Sequence, residues 1–267
     1  LSYAVIEATG YVDWYIDPRK VLNPTQQALD KHVKVIPPDR FEERLTAIGK
    51  AGQTVRIDTL TVPEAVRLCL AAAGADIIMD TDPCRLPKAK KNLTEISGMR
   101  NAHIRDGVAL TSFLAWLSAE APKGNVSEIS AATKLLEFRA TGEYFRGLSF
   151  ETISGSGPNG AIVHYRVTTD TDRNLQPGDL YLVDSGAQYL DGTTDVTRTI
   201  FIKGTDNVPE EVREHFTRVL KGHIAIANAK FPVGTNGGQI DAIARLALWE
   251  IGLDYDHGTG HGVGSYL

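Results

Sequence analysis

Asp184, Asp195 and His261 are side chains of the kind that hold a divalent cation, and two of them sit close together in the chain. Asp184 ends the apolar run Leu180-Tyr-Leu-Val183, where a carboxylate is out of character for a core position. Asp195 opens the next strand-like run, eleven residues further on. A two-residue Asp191-Gly192 hairpin would set Asp184 opposite Thr199 and keep the two carboxylates too far apart to share an ion. A longer loop centred near Leu190, or a bulge, would let them meet. Two carboxylates ~4 Å apart repel by about 1 kcal/mol in water and by about 4 kcal/mol at an effective dielectric of roughly 20. If they meet, either one takes a proton or a cation neutralises both. The competing reading is structural: Asp184 caps a turn, and Asp191 or Asp195 occupies a hairpin corner. Spacing permits either.

His257 and His261 lie in Asp256-His-Gly-Thr-Gly-His-Gly-Val-Gly264. The glycines rule out a helical HExxH site, and no Lys-Ser/Thr follows to make a phosphate loop. Imidazole beside carboxylates suits manganese, zinc, cobalt or iron rather than calcium. His164 follows the flexible Ser154-Gly-Ser-Gly-Pro-Asn-Gly160 in what reads as an apolar strand, a setting as suited to a core histidine as to a catalytic one. His32, His103, His215 and His223 read as ordinary helix or loop residues.

The elements that must position these groups fall into two regions. Weak alternation around Gly10 predicts a hairpin near the start. Thr54–Asp58, Val62–Gly74 and Ile77–Met79 follow as strand, helix and strand, an α/β unit. Pro83, Pro87 and a lysine-rich stretch then mark a boundary, giving regions 1–89 and 90–267. The second opens on Asn92-Leu-Thr-Glu95, a capping-box start to a long helix. Further helices are expected over Ser127–Ala140, from Pro209, and over Ile240–Ile251. Between them lie three strand candidates, Gly160–Thr168, Leu180–Tyr189 and Asp195–Ile202. Helices, strands, then helices again reads as α+β.

Composition narrows the function classes. A net charge of −5 argues against a nucleic-acid groove. The most apolar stretch, Leu68–Met79, falls short of the about 20 residues that cross a bilayer, so no membrane association is expected. Cys69 and Cys84 are too few for a disulfide framework and favour the cytoplasm. Leu1 is not an initiator methionine and Leu267 directly follows a motif, so the chain is expected to be a piece of a longer protein.

Six segments together resemble the pita-bread metallopeptidase family, and within it the three-domain subgroup of Xaa-Pro aminopeptidases. They are Ile96-Ser-Gly-Met-Arg100, His103-Ile-Arg-Asp-Gly107, Asn159-Gly-Ala-Ile-Val-His-Tyr165, Val183-Asp-Ser-Gly-Ala-Gln188, Asp191-Gly-Thr-Thr-Asp-Val-Thr-Arg198 and His257-Gly-Thr-Gly-His-Gly-Val-Gly264. The resemblance covers roughly residues 90–267, while residues 1–89 are similar to part of a creatinase-like α/β domain.

The resemblance implies a dinuclear site holding two divalent ions, most often manganese, with zinc or cobalt in relatives. Asp184 would be a terminal ligand, Asp195 a bridge between the ions, and His261 a ligand of the other ion. His164 would face the substrate and serve the departing proline, and His257 would lie near the scissile bond without binding metal. The implied substrates are peptides with proline at the second position, and the implied assembly is a homodimer. Alternatives on the same fold are a prolidase, a methionine aminopeptidase or a non-catalytic binding module. A further histidine and two glutamates of the family pattern would lie beyond Leu267, leaving the catalytic domain incomplete at its C-terminus. These 267 residues alone are therefore expected to bind metal weakly and to hydrolyse peptides negligibly; normal turnover by the purified chain would overturn that.

Overall fold

A computed structural model describes residues 2–204 and 207–267. They form two compact units, residues 1–90 and 91–267.

In the first unit, β1 (Tyr3–Ile6) and β2 (Val12–Tyr15) make the expected antiparallel hairpin, closed by Gly10 at positive φ. A short helix α1 (Asn23–Ala28), with Pro24 in its first turn, leads to β3 (Val33–Ile36), which pairs in parallel with β2. Next come α2 (Phe41–Lys50), β4 (Thr54–Ile57), α3 (Glu64–Ala73) and β5 (Asp76–Met79), with β4 and β5 parallel and joined through α3. Leu45, Ile48, Ile57 and Leu70 form the core. Helices α2 and α3 approach closely because Gly49 has no side chain to meet Ala73. A short helix α4 (Arg85–Ala89) ends the unit.

The second unit begins with α5 (Leu93–Glu120), whose N-terminus carries the expected reciprocal cap of Asn92 and Glu95. Ser127 caps α6 (Glu128–Ala140) in the same way, with Ser130 as its partner. The strands then divide between two sheets. Strand β6 (Phe145–Leu148) enters one of them, and β7 (Ile153–Ser156) the other. Strand β8 (Leu180–Ser185) lies in the middle of its sheet, β9 (Ala187–Tyr189) in the middle of the other. β10 (Gly192–Thr193) pairs with β9, and β11 (Val196–Phe201) with β8. Helices α7 (Glu210–Asn228) and α8 (Gly237–Trp249) pack together with Gly222 against the Ala244 backbone. Phe113, Leu117, Leu135, Leu175, Tyr181 and Val183 form the centre of the core between α5, α6 and the β8 sheet.

Two strand expectations are corrected. Gly160–Thr168 is not a strand; the extended segment is the earlier β7, followed by a 3-10 turn over Gly157–Ala161. Ile162 and Val163 are about half exposed and have no sheet to face. Gly155 lets the following backbone fold back on β7, since a Cβ there would run into Asn159 and Gly160. Leu180–Tyr189 is not one strand but two, broken at Gly186. A Cβ at Gly186 would overlap the Thr194 carbonyl and the Ser149 hydroxyl.

The register is also settled. Tyr189 pairs with Gly192, so the turn residues are Leu190 and Asp191, and Asp184 faces Thr197 rather than Thr199. Helix α5 fixes this turn. Gly98 lies against the Asp191 backbone, Gly192 against Ala102, and Arg105 forms an ion pair with Asp191. Below it, Asp106 receives two bonds from the buried Arg139 (2.8 and 3.0 Å) and one from the Tyr189 hydroxyl (3.0 Å). Gly98→Ala would push a methyl into the Asp191 carbonyl. It is expected to cost about 1–3 kcal/mol, read as a lower denaturation midpoint; an unchanged midpoint would show that the turn is not set by this contact.

Candidate metal centre

Asp184 is delivered by β8, between Ile153 of β7 and Thr197 of β11. Asp195 stands at the foot of β11, past the break that Gly186 makes in the opposing strand. The two-residue shift in register that the Leu190-Asp191 turn imposes is what brings the carboxylates together. Asp184 is half-buried and its Oδ1 is sealed from solvent with no hydrogen-bond partner. Burial raises the pKa of this carboxyl, and the negative charge of Asp195 raises it further, while the Thr197 hydroxyl and the His164 imidazole act in the opposite direction. A buried carboxylate oxygen without a donor, beside a second carboxylate, is the arrangement a cation relieves.

His261 reaches Asp195 with its Nε2 3.4 Å from Oδ2, and its Nδ1 turns to the Gly262 carbonyl at 2.9 Å. The imidazole is 61% exposed and Asp195 only 19%, so the histidine closes the solvent side of a recessed carboxylate. Among the described residues no three His, Cys, Asp or Glu side chains converge into one cage. Asp184, Asp195 and His261 are brought together in pairs.

His164 lies near Asp184, not in a strand but in the Ile162–Tyr165 turn that follows the Gly157–Ala161 segment, at φ +54°. A non-glycine residue in the left-handed region costs of order 1–3 kcal/mol and persists where its surroundings over-determine it. His257 joins none of these groups. Its Nδ1 is 2.8 Å from the Gly258 carbonyl and its ring stacks on Tyr255.

Three positioning groups went unread in the sequence. Arg245 of α8 donates to the carbonyls of Tyr255 (2.6 Å) and His257 (2.8 Å) and to Asp254 (2.8 Å), while Asp241 receives its Nε at 2.6 Å. Lys91 donates to the Val263 carbonyl (2.6 Å), and the Tyr266 N–H to the Thr193 hydroxyl (3.0 Å). These bonds hold the glycine-rich segment, which has no helix or strand of its own. The third group is Glu128, which carries the loop leading to His164. Arg245 at an i+4 spacing from Asp241 was the one visible hint.

Residues 97–267 match the metallopeptidase family M24, and residues 1–95 match the creatinase/prolidase N-terminal domain. The chain belongs to the M24 metallopeptidases, with a pita-bread catalytic domain behind a creatinase-type N-terminal domain. It is 43% identical to a probable Xaa-Pro aminopeptidase P of Aspergillus clavatus, over all of this chain and 41% of that protein. It is also 43% identical to the Xaa-Pro aminopeptidase 1 of Dictyostelium discoideum, over 100% of this chain and 42% of the other. The crystal structure of an X-prolyl aminopeptidase from Caenorhabditis elegans, described as a cytosolic enzyme with a di-nuclear active site, superposes with a TM-score of 0.89 at 37% identity. That match covers all of this chain and 44% of that one. The prolidase of Pyrococcus furiosus shares the fold at 22% identity and a TM-score of 0.72. The chain thus spans about two-fifths of the length of the curated relatives it matches.

The raised Asp184 pKa has a definite sign. A carboxyl that holds its proton more tightly when folded costs stability above its folded pKa and regains it as pH falls through that value. Asp184→Asn removes the charge and offers Asp195 an amide donor. The metal-free chain is expected to gain a few degrees in Tm at pH 7 from this change, with the gain shrinking toward pH 4. A fall in Tm at pH 7 would mean that Asp184 is a satisfied structural carboxylate.

Proposed function

We propose that the protein carrying this chain is a metal-dependent aminopeptidase that hydrolyses the bond between an N-terminal residue and a following proline. The observation that carries the reading is the pairing of Asp184 and Asp195 across the Gly186 break, with one buried carboxylate oxygen unsatisfied and His261 against the other aspartate. Similarity over the whole chain to proteins named Xaa-Pro aminopeptidase supports the substrate class.

In this reading Asp184, Asp195 and His261 would hold two divalent ions, Asp184 as a ligand of one, Asp195 of both and His261 of the other. A carboxylate and imidazole donor set suits manganese, zinc, cobalt or iron, and the resemblance to the three-domain subgroup is what points to manganese, with zinc or cobalt as substitutes. When bound, the two cations supply Lewis acidity and a water acidic enough to attack at neutral pH. The free α-amine of the substrate would bind beside the ions and Asp184, which limits cleavage to one N-terminal residue.

A proline nitrogen is a tertiary amide with no N–H and leaves poorly unless it gains a proton. His164 is assigned to that side of the site, where it orients the leaving group and moves a proton to its nitrogen. His257, anchored by Arg245 through its carbonyl, is assigned to the substrate side without binding metal. Two unpaired cysteines fit a reducing cytoplasm, and no helix among the described residues is long and apolar enough to cross a membrane. A homodimer is the assembly we assign, from the resemblance to the three-domain subgroup.

Asp195→Ala in the protein that carries this chain is expected to lower kcat/KM on Xaa-Pro peptides by at least about 10³-fold and to abolish tight binding of the second ion. Retained hydrolysis would end the reading. Tri- and longer peptides should be cleaved in preference to the Xaa-Pro dipeptide; the reverse preference would make the protein a prolidase instead.

A further inference from the structure

We propose that Glu128 is a positioning residue for His164: its carboxylate holds the 157–165 turn in the one shape that presents the imidazole to the site. The inference rests on the role given to His164 above and goes beyond it by naming what aims that side chain.

Glu128 is the first residue of α6 and is fully buried. Among the described residues it has no ion-pair partner. Its charge is offset by the N-terminus of α6 and by donors converging from four places in the chain. Oε1 receives the Ser156 N–H at 2.7 Å and the Asn159 amide at 3.0 Å. Oε2 receives the same Asn159 amide at 3.1 Å, the Tyr165 hydroxyl at 3.1 Å and the Arg173 N–H at 3.4 Å. Asn159 also donates to the Tyr165 hydroxyl (2.9 Å), which bonds Thr171 Oγ1 in turn (3.0 Å).

The geometry of these bonds is what matters. Ser156 and Asn159 lie where the turn begins, and Tyr165 lies where it ends, directly after His164. Both ends of the turn are therefore fastened to one side chain on a rigid helix. Apolar packing within the turn gives little help, because Ile162 and Val163 are about half exposed and only the Tyr165 ring beyond His164 is buried. His164 itself is held at φ +54°, a conformation that a loosely anchored loop would abandon. Two anionic oxygens can accept all of these donors. A glutamine could accept on one side only and would set its NH₂ against donors on the other.

A buried carboxylate could instead serve stability alone, so the test must separate the two roles. In the full protein, kcat and KM on an Xaa-Pro peptide are measured for Glu128→Gln, His164→Ala and the double variant. The proposal expects Glu128→Gln to lower kcat about tenfold, in line with a misplaced catalytic group, with little change in KM. It expects the same change to alter kcat less than about twofold when His164 is already alanine. Equal losses in both backgrounds would show that Glu128 does not act through His164, and a silent Glu128→Gln would do the same. A silent His164→Ala would instead bring down the role assigned to His164, and the proposal with it. Should Glu128→Gln not fold, Tyr165→Phe removes only the hydroxyl beside His164. It should then lower kcat in the wild-type background and not in the His164→Ala background; no effect in either overturns the proposal.

Discussion

The second unit depends on where one hairpin turns. With Leu190 and Asp191 at its tip, the ladder below places Asp184 opposite Thr197 and leaves Asp195 beside the break at Gly186. A turn one residue later would shift the pairing by two positions and draw the carboxylates apart. The choice is not made by the turn residues. It is made by α5, where Gly98 and Ala102 receive the hairpin and Arg105 holds Asp191. Asp191 has its own cation, so of the three aspartates in this stretch it is the one taken out of the metal question.

Three recessed carboxylates in this unit meet the cost of burial in three ways. Asp106 faces the guanidinium of Arg139 in a bidentate pair, with the Tyr189 hydroxyl as a third donor. Among the described residues Glu128 meets no cation and relies on a helix N-terminus and neutral donors. Asp184 has a single hydroxyl donor, Thr197, while its other oxygen is buried without a partner and its neighbour is another acid. The first two are solved within the fold. The third is left open within the fold, which is why the proposed metal chemistry is placed there and not at the other two.

What could be read from the sequence was local. The Asn92–Glu95 cap and the helix after Pro209 rest on contacts within a few residues, the strand–helix–strand of the first unit on pairing across a short crossover, and all form as expected. The register did not follow, because Gly98 and Asp191 are far apart in sequence. His164 looked like a strand residue because Ala161-Ile-Val is apolar, yet these side chains are partly or largely exposed and the backbone turns left-handed at the histidine. Glu128 gave no sign at all: an acidic residue in the first turn of a helix is ordinary, and only the folded chain shows four residues, Ser156, Asn159, Tyr165 and Arg173, donating to it. Asp184, Asp195 and His261 could be named as a group only through the family pattern, since their spacing fits a capped turn equally well.

The glycine-rich run from Gly258 to Gly264 has more backbone freedom to lose on ordering than any other stretch of this length. Left alone, it would wander, and any ligand that needed His261 would have to bear the entropy of stilling it. Lys91 takes hold of the Val263 carbonyl within the run, Arg245 of the His257 carbonyl just before it, and Thr193 of the Tyr266 N–H just after it. Much of that ordering is therefore complete before a cation or peptide arrives. In the proposed reading, the affinity of the site would in this sense be set partly by residues that touch neither metal nor substrate.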